Sequence, residues 1–206
     1  MNIANQLRFF FNPRSVAVVG VSRKPYKAGH IIFRNFAENR RVGWFRGELY
    51  PVNPHEESVL GYPCYPSLRD IPGSVDLVVI VVPAQAVLGV MEDAAAKGVK
   101  AVIIISGGFS EVGNRELEER VCSIAKEAGI RVLGPNCLGV YDSKTGVDTL
   151  FLPKTKTLTT GEEFVATPRP MPGEISIVTQ SGAFGLSLIH ISEPTRPRLI
   201  SYAVFC

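Results

Sequence analysis

Long hydrophobic runs are missing from this chain of 206 residues. A membrane-spanning helix needs about 18 consecutive apolar residues. The best candidates here, "LVVIVVP" and "AVIIIS", have only the length of strands. A secretory leader is not expected, because "MNIANQLRFFFNPRS" holds a short apolar patch and no small-residue cleavage site. Cysteine is scarce: Cys64, Cys122, Cys137 and Cys206 never stand at a Cys-x-x-Cys spacing, and no histidine is near them in sequence. That argues against a zinc site and for reduced thiols in the cytoplasm. A dominant charge is lacking too. The formal net charge is +3 and the basic residues are spread along the chain, so neither nucleic acid nor a membrane surface is an expected partner.

What remains is an ordinary globular composition, 46% hydrophobic and 20% charged. A domain of about 150 residues buries roughly 68–70% of its unfolded surface, enough for a core, so the length suits one domain and part of another. Short apolar runs alternate with segments of helical period. The expected strands are 16–19, 49–52, 77–82, 101–105 and 131–133, rich in Val and Ile without polar alternation, as in a parallel sheet covered on both faces. The expected helices are 26–37, with Ile31, Ile32 and Phe36 on one side, then 85–97, and 115–128, with Leu117, Val121, Ile124 and Ala128 on one stripe. Gly98 and Gly129 stop the last two. This pattern predicts an α/β fold, a Rossmann-like doubly wound parallel sheet, over residues 1–147.

From 148 to 173 the text is rich in Thr and Pro and reads as a linker or long loop. At 174–186, "EISIVTQSGAFG" restarts the strand-then-small-turn pattern, as the start of a second α/β domain. The stretch "LIHISEPTRPRLISYAVFC" fits poorly. Pro194 and Pro197 would end a helix after about two turns. The stretch also resembles translated sequencing-adapter read-through. Residues 187–206 are therefore expected to be a non-native tail, the alternative being a natural Pro-containing connection. Either way the second domain is expected to be incomplete.

The turn after the first strand, in "VAVVGVSRKPYKAGHIIF", invites a phosphate. A dinucleotide fingerprint would be G-x-G-x-x-G with a carboxylate about 20 residues onward for the ribose. Here Gly20 is followed by Val21, Ser22, Arg23 and Lys24, and the next glycine is Gly29. The second strand ends in Asn53-Pro54 where the acid belongs, with Glu56 and Glu57 poorly placed beyond it. No G-x-x-x-x-G-K-[ST] occurs either. What the turn offers is backbone N–H groups, the Ser22 hydroxyl, and cations at Arg23, Lys24 and Lys27, at a helix start that favours an anion. A ligand with several phosphates and no diol to be read by an acid fits. Coenzyme A, whose ribose carries a 3′-phosphate, has that profile. The plain alternative is solvated loop charge. The other strand ends offer Val82-Pro83, an apolar wall for a flat base, then Ser106-Gly107-Gly108, and Gly134-Pro135-Asn136.

Taken in order, "FNPRSVAVVGVSRKP", "GELYPVNPHEESVLGYPCYPSLRDIPGSVDLVVIVVPA", "VIIISGGFSEVG", "VLGPNCLGV" and "ISIVTQSGAFG" resemble the N-terminal CoA-binding domain of the ADP-forming acyl-CoA synthetases. The acetate–CoA ligase alpha subunits are the nearer members, the succinyl-CoA synthetase alpha subunits more distant. The resemblance covers about residues 8–186. It implies that Gly20, Val21, Ser22, Arg23 and Lys24 hold CoA phosphates and that Val82 and Pro83 pack on the adenine side. It implies that Ser106 and Gly107 lie along the CoA and that Asn136 stands near the thiol end. Gln180, Ser181 and Gly182 match the turn that, in the family, faces the phosphoryl group on a catalytic histidine. His55 stands where the family commonly has a CoA-binding lysine.

The resemblance further implies a phosphoryl relay through acyl phosphate and phosphohistidine, with acid, CoA and ATP giving acyl-CoA, ADP and phosphate. None of His30, His55 and His190 matches the family's nucleophile, so no catalytic residue is assigned and the chain alone should not turn over. ATP or ADP and Mg belong to an ATP-grasp part, in a beta subunit or a fused region, and the complete enzyme is expected to be an oligomer. The acid, and ADP against GDP, stay open. Two other readings are a stand-alone regulatory CoA-binding module and an NAD-binding Rossmann module. The "TQSGAFG" restart speaks against the first, and the missing glycine pattern and ribose acid against the second.

Overall fold

The computed structural model describes residues 3–191 and 204–205. In chain order come α1 (Ile3–Phe11), β1 (Ser15–Val19), α2 (Ala28–Arg41), β2 (Glu48–Val52), β3 (Ser58–Val59), β4 (Tyr62–Pro63) and β5 (Leu77–Ile80). Then follow α3 (Ala84–Lys97), β6 (Ala101–Ile104), α4 (Arg115–Ala128), β7 (Arg131–Leu133), β8 (Tyr141–Asp142) and β9 (Val147–Asp148). The remainder holds β10 (Thr155–Thr157), β11 (Glu163–Val165), β12 (Ile177–Val178), α5 (Gly182–Ile191) and β13 (Val204–Phe205).

Five strands form one parallel sheet in the order β2-β1-β5-β6-β7. Counted along the sheet this is 2-1-3-4-5, a doubly wound order whose connections reverse between β1 and β5. The residues of β1, β5 and β6 are buried because they feed two cores alternately. Ala17, Val19, Val78, Ile80, Val102 and Ile104 face Val87 and Met91 of α3 and Val121 and Ala125 of α4. Val16, Val18, Leu77, Val79, Ala101 and Ile103 face Phe10 of α1 and Ile32, Phe33 and Phe36 of α2. Each fully buried Val, Leu, Ile, Phe or Met side chain among them stabilises by about 1.5–3 kcal/mol against exposure.

The α/β expectation holds, with local differences. Helix α1 was not expected, and Phe10 is buried at its end. Helix α2 starts at Ala28 rather than at 26, because Lys27 is still extended and its N–H closes a turn on Lys24 O at 3.1 Å. It then runs four residues beyond 37, to Arg41. Strand β5 stops at Ile80, just before Val82 and the donor-less Pro83. On α4, Ala125 packs on the sheet while Ala128 is exposed, since the last turn has run past the layer.

The Thr- and Pro-rich segment after 148 carries structure. Strand β9 pairs with β8, and β10 with β11, both antiparallel. Asp148 and Thr149 are fully buried. Arg169 returns to Asp148 with Nε 2.7 Å from Oδ2, and gives its other nitrogens to the carbonyls of Thr167 (3.0 Å) and Leu152 (2.9 Å). Tyr141 donates to Pro170 O at 2.8 Å. Its hydroxyl pKa is pushed up by burial and then by the Asp148 charge, which keeps it a donor. Among the described residues no helix is long and apolar enough to cross a membrane, and no cluster of His, Cys, Asp and Glu could hold a metal. The expectations for Pro194 and Pro197, and most of those for 187–206, fall outside the described residues.

Candidate functional site

A cleft of about 760 Å³ opens at the carboxyl ends of β1, β2 and β5. This is where a doubly wound sheet parts to admit a ligand. It exists because two segments come unusually close. A Cβ at Gly20 (φ 93°) would collide with the Val81 carbonyl, and one at Gly29 with the Gly20 carbonyl. The first turn of α2 is thereby pressed onto the end of β1. No side chain caps that helix start, so its N–H groups and its dipole face the cleft.

The turn is braced from within. Gly20 N–H donates to Val52 O at 3.0 Å, and the Ser22 hydroxyl accepts from Lys24 N–H at 3.2 Å. His30 is buried, with Nδ1 2.7 Å from Ser22 O, so it is a hydrogen-bonded structural residue. Asn53 ties two strand ends together. Its Nδ2 donates to Val21 O at 2.6 Å and its Oδ1 accepts the His55 N–H at 2.9 Å. That Asx-turn curls the chain after β2 back over the cleft.

Of the residues expected to bind, Gly20, Val21, Ser22, Lys24, His55, Val82 and Pro83 all line this cleft, together with Lys27. Arg23 does not. Its N–H donates to Glu56 Oε1 at 3.1 Å and its guanidinium pairs with the same carboxylate, while 74% of its side chain stays exposed. The Arg23 N–H, and then its side chain, hold the Glu56 carboxyl below the usual range. Glu56, expected to be poorly placed beyond the turn, does line the cleft, with both oxygens taken by Arg23. Among the described residues neither Lys24 nor Lys27 is in an ion pair. Val82, Ala86 and Val90, with Pro66 and Leu68, give the same cleft an apolar shelf.

Ser106, Gly107 and Asn136 form a neighbouring group at the ends of β6 and β7. Ser106 Oγ donates to Val82 O, linking this group to the shelf. Asn136 N–H donates to Ser106 O at 2.9 Å, and a Cβ on Gly107 would stand 3.2 Å from Asn136 Oδ1. Glu111 takes the N–H groups of Gly108 and Phe109, and the Gly108 bond above all lowers its carboxyl pKa. Ser181 caps α5 by accepting the Phe184 N–H at 3.2 Å, with Gln180 exposed before it and Gly182 opening the helix. No disulfide joins Cys64, Cys122 and Cys137.

Sequence reasoning passed over three contributors: Asn53, Glu56 and the Pro66–Leu68 wall. Signals existed for two. Asn before Pro marks an Asx-turn. Ser67-x-x-Asp70 is a capping box, realised here with Ser67 N–H on Asp70 Oδ2 at 2.9 Å.

A family profile described as a CoA binding domain matches residues 14–143, the span that builds this sheet and cleft. The chain belongs to the CoA-binding domain family. This CoA-binding domain is 42% identical over 195 residues to acetate–CoA ligase (ADP-forming) II of Archaeoglobus fulgidus, covering 94% of this chain and 26% of that one. It is 36% identical to the alpha subunit of acetate–CoA ligase (ADP-forming) II of Pyrococcus furiosus, covering 89% of this chain and 36% of that subunit. The chain thus spans about a quarter to a third of the length of these curated relatives. Among solved structures it resembles acetyl-coenzyme A synthetase 1 of Candidatus Korarchaeum cryptofilum, bound to phosphate and ADP, with a TM-score of 0.80 at 36% identity. That likeness covers 100% of this chain and 39% of that chain.

Proposed function

We propose that the cleft holds coenzyme A and that this chain supplies the CoA-binding part of an ADP-forming acyl-CoA ligase. The observation that carries the reading is that two lysines free of ion pairs, at an uncapped helix start, share one cleft with an apolar shelf. The turn from Gly20 to Lys24, with Lys27, takes the phosphates. Val82, Pro83, Ala86 and Val90 take the adenine face. The pantetheine arm runs past Ser106 and Gly107 toward Asn136. A volume of about 760 Å³ suits such a ligand, since small-molecule sites run to about 300–1,000 Å³.

The reaction is acid plus CoA plus ATP to acyl-CoA, ADP and phosphate, by way of acyl phosphate and a phosphohistidine. Ser181 and Gly182 stand at the turn that would meet the phosphoryl group. The histidine belongs to the second domain, beyond the matching region, and the ATP-grasp part with its Mg and nucleotide to a beta subunit or a fused region. The acetate–CoA ligases among the relatives, some named as alpha subunits, support this. On this reading the chain binds CoA without turnover, works in the cytoplasm, and joins an oligomer when complete.

NADH is the sharpest competitor, because Glu56 puts a carboxylate in the cleft wall after β2. Calorimetric titration of the 206-residue chain with CoA and with NADH separates the two. The expected result is saturable CoA heat and none from NADH. NADH binding without CoA heat would refute the reading.

A further inference from the structure

A second cavity of about 370 Å³ lies at the other end of the sheet, where the strands begin. Arg14, just before β1, Arg46, just before β2, and Lys144, in the β8–β9 turn, all line it. No acidic residue lines it, and among the described residues none of these three cations is in an ion pair. Three carboxylates in the adjoining segments are hydrogen-bonded to neighbouring groups. Glu48 pairs with Arg40 at 3.1 Å, Asp76 accepts the Arg14 backbone N–H at 2.9 Å, and Asp142 accepts the Lys144 backbone N–H at 2.8 Å.

Thr145 lines the cavity as a residue, but its Oγ1 is shut off from solvent and makes no hydrogen bond. The walls are also preset. Buried Asn39 donates from Nδ2 to Gly146 O at 2.8 Å, and its backbone carbonyl accepts the N–H groups of Trp44 (2.8 Å) and Phe45 (3.1 Å). A Cβ on Gly146 would stand 2.8 Å from Phe45 N, so the two loops are in contact along their backbones. Trp44, half-exposed, adds a flat aromatic face.

We propose that this cavity is a second anion site, which takes a phosphate group, free or carried by a nucleotide whose base lies on Trp44. Arg14, Arg46 and Lys144 neutralise the phosphate. The site is separate from the CoA cleft and does not rest on the CoA reading.

Trp44 is the sole tryptophan of the chain, so its fluorescence reports the cavity directly. The 206-residue chain is titrated with inorganic phosphate, ADP and adenosine at constant ionic strength. A saturable change below about 10 mM is expected, a range that corresponds to weak but specific binding. Phosphate and ADP acting alike would mean a bare phosphate site. ADP acting at least about tenfold more tightly would place the base on Trp44. The double variant Arg46→Glu/Lys144→Glu, both exposed positions, should lose the response while keeping its circular dichroism. Lys24→Ala should keep it. Phosphorus NMR line broadening by phosphate or ADP, lost in the same double variant, reads binding without relying on Trp44. No saturable change with phosphate or ADP, or a response that survives the double charge reversal, overturns the proposal. So does an equal response to adenosine.

Discussion

Replacing Arg169 by methionine tests how the segment after β9 is held. Arg169 and Asp148 have side chains 8% and 1% exposed, and Arg169 makes three hydrogen bonds at 2.7–3.0 Å. Asp148 also accepts the Leu150 N–H at 3.1 Å. Removing one partner strands a buried charge, and such a break costs about 3–5 kcal/mol. Arg169→Met and Asp148→Ala should each fall in that range by urea unfolding near neutral pH. Asp148→Asn retains acceptor oxygen but loses charge, so it should cost less, about 1.5–3 kcal/mol. The double variant Asp148→Leu/Arg169→Met should be more stable than Arg169→Met alone, because no charge is left unpaired. Proteolysis offers a local readout. The exposed β10–β11 hairpin should be cut faster in the single variants, since Arg169 anchors its return. If each single change costs under about 1 kcal/mol, the value of an exposed pair, the anchor reasoning fails. Strictly additive single and double values would also sink it.

Three further outcomes follow from the cleft. Lys24→Ala and Lys27→Ala should each weaken CoA binding about tenfold, with a shallower salt dependence than the parent, as calorimetry at two ionic strengths will show. Glu56→Gln should tighten CoA, because the Arg23 N–H and guanidinium become available to phosphate; weaker binding would mean that the carboxylate positions the turn instead. The Glu56 carboxyl is held below its ordinary 4.5, so its ion pair is present above that value and lost only as pH falls through the lowered one. The variant-to-parent affinity ratio should accordingly stay flat from about pH 6 to 8. Gly29→Ala forces a Cβ into the Gly20 carbonyl and should cost both CoA binding and thermal stability. An alanine variant with parental melting and affinity would show that the helix start is not pressed onto β1.

Much of the sheet was legible because its chemistry is one-dimensional. A strand covered on both faces has to be apolar, and β5, β6 and β1 from Val16 onward are. Helix α1 escaped because nine residues give barely two and a half turns of pattern, with Phe9, Phe10 and Phe11 blurring the period. The Asp148–Arg169 pair escaped for a different reason. Its members are separated by a stretch rich in Thr and Pro, and nothing local in "DTLFLPKTKTLTTGEEFVATPRP" says which charge turns inward.

In the site, residues adjacent in sequence were legible and residues brought together by a bend were not. Gly20, Ser22 and Lys24 follow one strand into one turn. Glu56 reaches the cleft only because Asn53 curls the chain behind β2, three residues earlier. The missing acid at the end of β2 was therefore not a missing carboxylate. What matters is whether that carboxylate is available. A ribose diol needs an acceptor free to take two hydroxyl protons, and the two oxygens of Glu56 already receive the Arg23 N–H and guanidinium. The pair cancels one of the three cations that the turn carries, leaving Lys24 and Lys27 as its net charge. Two uncompensated lysines sharing a cleft with an apolar shelf favour a ligand whose ribose bears phosphate over one whose ribose bears free hydroxyls. The choice of CoA over NAD thus rests on Arg23 holding Glu56, more than on the glycine spacing that first suggested it.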